Sequence, residues 1–173
     1  DADACVVTGD LVNNGDEESY GKVFDALTCL NIKILLTDGN HDNKEILFEY
    51  SKMSGNVVCS MYEGFVQYSC DDFKTRIISI DTNPKIIDDE NHQGYLCQQR
   101  LEWLDKCLAS VITPTVLLMH HSPLETGIAF MDRFGFKSKM ELVKIVTAHP
   151  HLKHIFFGHI HSCVAGHFSK ISC

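Results

Sequence analysis

Short apolar runs that stop abruptly at polar residues recur along the chain. Ala4-Cys5-Val6-Val7-Thr8 gives way to Gly9-Asp10, and Ile32-Lys33-Ile34-Leu35-Leu36 leads to Gly39-Asn40-His41-Asp42. Thr115-Val116-Leu117-Leu118-Met119 ends in His120-His121, and His154-Ile155-Phe156-Phe157 ends in Gly158-His159-Ile160-His161. Runs this short, bounded by turn-forming residues, predict buried strands at 4–8, 32–36, 115–119 and 154–157. Helical spacing between them predicts helices over 19–30 (Tyr20, Val23, Phe24, Leu27, Leu30), 43–53 (Ile46, Leu47, Tyr50), 96–108 (Leu101, Leu104, Leu108) and 139–147. Alternation over 62–69, a strand-like run at 75–80 and the Asp71-Asp72 pair between them predict a hairpin. Residues 81–94, broken by Pro84 and Gly94, and residues 124–137 read as loops. The first strand, helix and second strand form a βαβ unit. The pattern as a whole predicts one α/β domain over 1–173 with a mixed sheet and no repeat or linker.

Composition narrows the class without changing it. A chain of 173 residues with 45% apolar and 22% charged residues suits one soluble domain with a real core. No apolar stretch is long enough to cross a bilayer, so no membrane partner is expected. The net charge of −8 argues against a nucleic acid polymer, which needs a basic face. It leaves room for a small anionic substrate, because bound cations would reverse the local sign. The eight cysteines show no Cys-x-x-Cys pair and fall in apolar or helical patterns, where free thiols act as small hydrophobes. Reduced thiols imply a reducing compartment, hence a cytoplasmic protein. The chain opens at Asp1 without a methionine, closes at Cys173 and shows no signal peptide, so both ends read as cut.

The residues released at the four strand ends are of metal-binding type. Open α/β sheets carry their chemistry at the carboxyl ends of strands, which predicts a single active-site edge. Asp10 is a carboxylate, Asn40 a neutral oxygen donor, and His120, His159 and His161 are imidazoles. Such a mixed set suits Mn, Fe, Zn or Co. His159 and His161 leave the same side of an extended segment, so they can serve two neighbouring metals or one. Asp10 can bridge two ions with its two oxygens. Two bridged cations about 3.5–4 Å apart hold a hydroxide and clamp phosphate oxygens. His41 is then placed to assist the leaving oxygen, and Asp42 to fix the tautomer of a nearby imidazole. His92, His149, His151, His154 and His167 read as ordinary surface or core histidines.

Together, Gly9-Asp10, Gly39-Asn40-His41-Asp42, His120-His121-Ser122-Pro123 and Gly158-His159-Ile160-His161 resemble the calcineurin-like metallophosphoesterase family. The run from Val6 to Gly15 is similar to its second motif nearly residue for residue. Gly94-Tyr95-Leu96 and Gln99-Arg100-Leu101-Glu102-Trp103-Leu104 resemble the stretch before its His-His-x-Pro motif in the class III cyclic-nucleotide and glycerophosphodiester phosphodiesterase branch. The resemblance implies a four-layer sandwich of two mixed β-sheets flanked by helices, truncated at both ends. It implies two metal ions, with Asp10 bridging, Asn40, His120 and His159 completing one shell, and His161 binding the other. His120 is preferred to His121 because it directly ends the strand. His41 would assist the leaving group.

One family feature is missing: no Asp-x-His occurs in the chain. The resemblance therefore implies a first strand upstream and leaves only Asp10 and His161 for the second metal. The expected activity is metal-dependent hydrolysis of a small phosphodiester, a cyclic nucleotide or glycerophosphodiester, by attack of a metal-bridging hydroxide. The alternatives are a phosphomonoesterase or nucleotide pyrophosphatase on the same site, or a ligand-depleted protein-binding scaffold of the same fold. Loops 81–94 and 124–137 would set substrate choice, while Asp88-Asp89-Glu90 and Arg133-Phe134-Gly135-Phe136-Lys137 read as solvated loop charge rather than substrate contacts. Oligomeric state, a homodimer included, is left open.

Overall fold

Ala4–Thr8 (β1) runs into the loop before Glu17–Thr28 (α1), and Lys33–Thr37 (β2) returns beside β1 in parallel, with Val6 opposite Leu35. The computed structural model describes residues 2–84 and 92–173; Asp88-Asp89-Glu90 lies outside the described residues. Helix α1 starts earlier than its apolar periodicity suggests. Asp16 caps it by accepting from the Ser19 N–H at 2.9 Å, and Glu17 and Glu18 favour the positive end of the helix dipole. Lys44–Met53 (α2) is capped in the same way by Asn43, which accepts from the Ile46 N–H. Val57–Val58 (β3), too short to show a period, adds a third parallel strand next to β2.

The expected strand over 62–69 is divided. Met61–Tyr62 (β4) and Phe65–Val66 (β5) form a tight hairpin, because Glu63 and Gly64 both take positive φ (53° and 81°). That pair of left-handed residues makes a two-residue reversal and breaks the alternation. Tyr68–Cys70 (β6) then pairs antiparallel with Arg76–Ser79 (β7). Gln98–Ala109 (α3) crosses to Thr115–Leu118 (β8), parallel to β7. The predicted loop 124–137 contains one helical turn, Ala129–Asp132 (α4). Lys139–Ala148 (α5) leads into Leu152–Phe156 (β9), parallel to β8. His167–Phe168 (β10) and Ile171–Ser172 (β11) close the sheet as a short hairpin, again below the length at which alternation can be read.

The strands lie in the two main sheets that the family resemblance implied, with β4 and β5 apart as a two-stranded hairpin. The smaller has the order β1-β2-β3, the larger β10-β11-β9-β8-β7-β6. Among the described residues only the larger is mixed; the smaller is all parallel. Leu35 of β2 faces Tyr68, Cys70 and Leu118 of the larger sheet, with Val6, Ile77 and Val116 packed around them. Ile34 and Leu36, on the opposite face of β2, pack on Tyr20 and Phe24 of α1 and Leu47 of α2. The outer face of the larger sheet buries Ile78, Leu117 and Ile155 against Leu104 and Leu108 of α3 and Leu142 of α5. The order is helices, sheet, sheet, helices. Strand β2 is covered on both faces, which is why it reads as an unbroken apolar run. Each of its fully buried side chains contributes about 1.5–3 kcal/mol of burial. All eight cysteines are free. No helix among the described residues is long and apolar enough to cross a membrane.

Candidate metal centre

Parallel pairing sends the ends of β1 and β2 to one edge of the small sheet, and the ends of β8 and β9 to the same edge of the large one. The site therefore forms where two sheets meet. Very close approach is required: a Cβ on Gly39 would fall 2.2 Å from the Asp10 Oδ1, so only glycine fits there. Asp10 (φ 54°), His159 (69°) and His161 (53°) all adopt left-handed backbone conformations. Such conformations are unfavourable for non-glycine residues and cluster at functional sites.

Four of the five expected ligands converge. The Nε2 of His120 lies 3.0 Å from the Asn40 Oδ1, 3.2 Å from the His159 Nδ1 and 3.3 Å from the Asp10 Oδ2. Hydrogen bonds settle the protons. His120 donates through Nδ1 to the Thr8 carbonyl at 2.7 Å, and His159 through Nε2 to the Phe134 carbonyl at 3.1 Å. A carbonyl only accepts, so in the neutral rings the facing nitrogens carry lone pairs. Asn40 donates its Nδ2 to the His92 Nδ1, which leaves Oδ1 facing the cluster. With both rings neutral, as metal binding requires, a carboxylate, an amide oxygen and two imidazole nitrogens point at one another with no proton between them. That donor set fits a divalent cation. His161 is exposed and lines the pocket above Asp10 and His159.

His121 also comes within ligand range of His120 and His159. Both of its nitrogens are engaged, however: Nε2 donates to the His92 carbonyl and Nδ1 accepts from the Thr82 hydroxyl at 2.8 Å. The geometry therefore separates the two neighbours, turning only His120 towards Asp10 and Asn40.

Burial works against ionisation throughout the site, and local bonds decide the outcome. Burial tends to raise the Asp10 carboxyl, but in the metal-free site the protonated His120 ring, by hydrogen bond and charge, together with the His41 N–H, holds it at about 2. Burial, reinforced by His120, pushes His159 down to about 4. His121 is held well below the usual histidine range, again chiefly by burial. The rings of His159 and His121 are therefore neutral at pH 7.

His41 is exposed, donates its Nδ1 to the Asn13 carbonyl at 3.0 Å, and stacks on His92 with ring planes 7° apart. Its own backbone N–H donates to the Asp10 Oδ1. Asp42 departs from expectation: it orients no imidazole. Its carboxylate accepts from the Leu11 and Gly39 N–H groups and from the Tyr20 hydroxyl, tying the loops after β1 and β2 to α1. A short carboxylate surrounded by loop N–H groups satisfies these donors before it can reach a ring. Burial raises its pKa, partly offset by those same bonds.

A profile of the calcineurin-like phosphoesterase family matches residues 1–163. The chain belongs to the calcineurin-like phosphoesterase family. Within it, the chain is 35% identical over 161 residues to a glycerophosphodiester phosphodiesterase GpdQ of Enterobacter lignolyticus, covering 92% of this chain and 56% of that protein. It is 32% identical to a probable cyclic nucleotide phosphodiesterase of Synechococcus (92% and 58% covered), and 26% identical to the 3′,5′-cyclic adenosine monophosphate phosphodiesterase CpdA of Escherichia coli K12 (92% and 54%). The chain spans a little over half the length of these relatives. The fold is shared with the crystal structure of TT1561 from Thermus thermophilus, at a TM-score of 0.62 and 13% identity, covering 99% of this chain and 75% of that one.

The candidate metal centre has further supports beyond the four strand-end clusters. The end of β7 is a further strand terminus at the same edge, and it releases buried Asp81, Thr82 and Asn83. Asn83 donates to the Asp38 carboxylate at 2.6 Å and to the Gly39 carbonyl at 2.8 Å, gripping the loop that presents Asn40. Arg100 of α3 donates to the Asp81 and Asn83 carbonyls, fixing Asn83 in turn. The cue was available, since Asp81-Thr82-Asn83 follows an apolar run like the others. His92, set aside as an ordinary histidine, binds Asn40 and stacks on His41. His149, His151 and His154 lie in structural contacts, with Asp105, the Leu108 carbonyl and Ser172 respectively.

Proposed function

We propose that the chain carries the greater part of a metal-dependent phosphodiesterase site acting on a small diester, a cyclic nucleotide or a glycerophosphodiester. The observation that supports this most is the proton-free convergence of Asp10, Asn40, His120 and His159. Relatives named as glycerophosphodiester and cyclic nucleotide phosphodiesterases agree with it. Those four residues would hold one metal ion, of the Mn, Fe, Zn or Co type, and Asp10 and His161 would contribute to a second. When bound, the metals supply Lewis-acid activation of the phosphate and of the attacking water.

The chain's own residues do the rest. Asn40 and the neutral imidazoles add no negative charge, so a phosphate anion meets less repulsion than at an all-carboxylate site. The bond from His41 to the Asn13 carbonyl turns its other nitrogen, Nε2, into the one free to act. In the protonated ring this Nε2 donates to the departing alkoxide oxygen. Stacking on His92 keeps the His41 ring in place, and Asp42 holds together the two loops that carry Asp10 and His41. The protein-binding scaffold reading has no use for a donor set of this kind.

The test is Mn²⁺-dependent hydrolysis of bis(4-nitrophenyl) phosphate by the full-length protein, beside Asn40→Ala. Metal-dependent turnover that Asn40→Ala abolishes is the expected result. Turnover indifferent to Asn40→Ala would overturn the assignment, and hydrolysis of monoesters alone would favour a phosphomonoesterase.

A further inference from the structure

Two cavities adjoin the stacked rings of His41 and His92, and their walls differ. One, of about 380 Å³, is lined by polar groups such as Asn14, Asn43, Lys44 and Asn83. The other, of about 200 Å³, lies over Asp10, His159 and His161 and is walled by Phe130, Met131 and Phe134. A site built for a charged ester thus has an apolar wall immediately above its ligands.

That wall is continuous and aromatic. Phe134 meets His92 edge-on (centroids 6.5 Å, planes 61°), and Phe130 meets Phe134 in the same way (5.1 Å, 64°). Phe134 is anchored to the centre itself, because its carbonyl accepts from His159. Phe130, on the single turn of α4, is 61% exposed although it is one of the largest apolar side chains available. Most of its ring surface is left uncovered at the mouth of the cavity.

We propose that Phe130 and Phe134 form a stacking surface for a flat ring carried on the sugar that the scissile phosphate esterifies. The site then takes nucleoside phosphodiesters, cyclic nucleotides among them, in preference to diesters of glycerol and small aliphatic alcohols. This rests on the phosphodiesterase reading above and narrows it. Every nucleobase offers a π-face to an aromatic side chain, whatever its hydrogen-bonding edge, whereas glycerol offers none. The cavity that Asn14, Asn43, Lys44 and Asn83 line, which also adjoins His41, suits the hydroxylated or solvated part of the same substrate.

The experiment compares kcat/KM for 3′,5′-cyclic AMP and glycerophosphoethanolamine in the full-length protein and in Phe130→Ala, Phe130→Trp and Phe130→Tyr. Removing one stacking partner should lower the cyclic AMP preference about tenfold, mainly through KM, and the two aromatic replacements should restore it. In Phe130→Trp, added AMP should also quench the new indole fluorescence, with or without metal. An unchanged preference ratio overturns the proposal. So does a larger loss with glycerophosphocholine, which would assign the wall to a quaternary ammonium, or a change in sedimentation, which would make Phe130 a contact between protein copies. Hydrolysis of neither diester would refute the phosphodiesterase reading instead, and the quenching by AMP would still decide the stacking surface.

Discussion

The His120 Nε2 stands 3.3 Å from the Asp10 Oδ2, across the junction of the two main sheets. The Asp10 loop leaves β1 of the small sheet and His120 follows β8 of the large one. His120→Ala should lower affinity for Mn²⁺ by about 100-fold or more, the upper range of what even supporting residues around a metal are worth. Titration calorimetry on metal-stripped protein would measure it. His121→Asn, which alters a ring already engaged at both nitrogens, should change that affinity far less.

In the proposed reaction His41 can act through Nε2 alone, since the Asn13 carbonyl occupies Nδ1. Its contribution should therefore depend on how badly the leaving group needs a proton. With an alkyl diester, His41→Ala should lower kcat by about 10²–10⁴-fold. With a 4-nitrophenyl diester, whose leaving group departs as a stable anion, the loss should be much smaller. Equal losses with both substrates would give His41 a binding role instead.

Two neutral, buried imidazoles also predict how the metal-free protein responds to acid. His159 is lowered from 6.5 to about 4 and His121 lies well below 6.5. Between pH 6.5 and about 4 the unfolded chain binds protons that the folded one refuses, so stability falls as pH falls through that window. The Asp10 carboxyl, held at about 2 against 3.8, acts lower down, and its contribution is lost as pH falls from about 4 towards 2. Melting temperatures of metal-stripped protein from pH 7.5 to 4 should show the first decline, and His159→Asn should flatten part of it. Because His159 is already neutral at pH 7, metal binding there should release no proton from it.

The four strand-end clusters were readable because a buried strand is short, apolar and punctuated, and because the residues that follow each one are unusual for a turn. Helices α2 and α3 were readable from the spacing of Leu47 and Tyr50, and of Leu101, Leu104 and Leu108. What pattern could not show is partnership. The strand-helix-strand order told β1 and β2 to pair with each other, but nothing in the apolar runs placed β8 and β9 in a different sheet; that division came only from the family resemblance. Nor could spacing reveal that Asp42 would be taken up by the N–H groups of Leu11 and Gly39. Two-residue strands such as β3 and β10 exist only because a neighbour accepts their hydrogen bonds. The roles of His92 and Phe134 depend on a loop fold that no period encodes.

The close fit of Gly39 against Asp10, and of Asp10 against His120, has a consequence for how the protein folds. The donors that converge come from positions 10, 40, 120 and 159, so no local segment contains the centre. Contacts between such distant parts of a chain form late and slowly, after the entropy of closing long loops has been overcome. Neither sheet alone offers more than half of the donors. The ability to bind metal should appear in a single step, at the moment the two sheets dock, and would make a metal-sensitive signal a clock for the last event of folding.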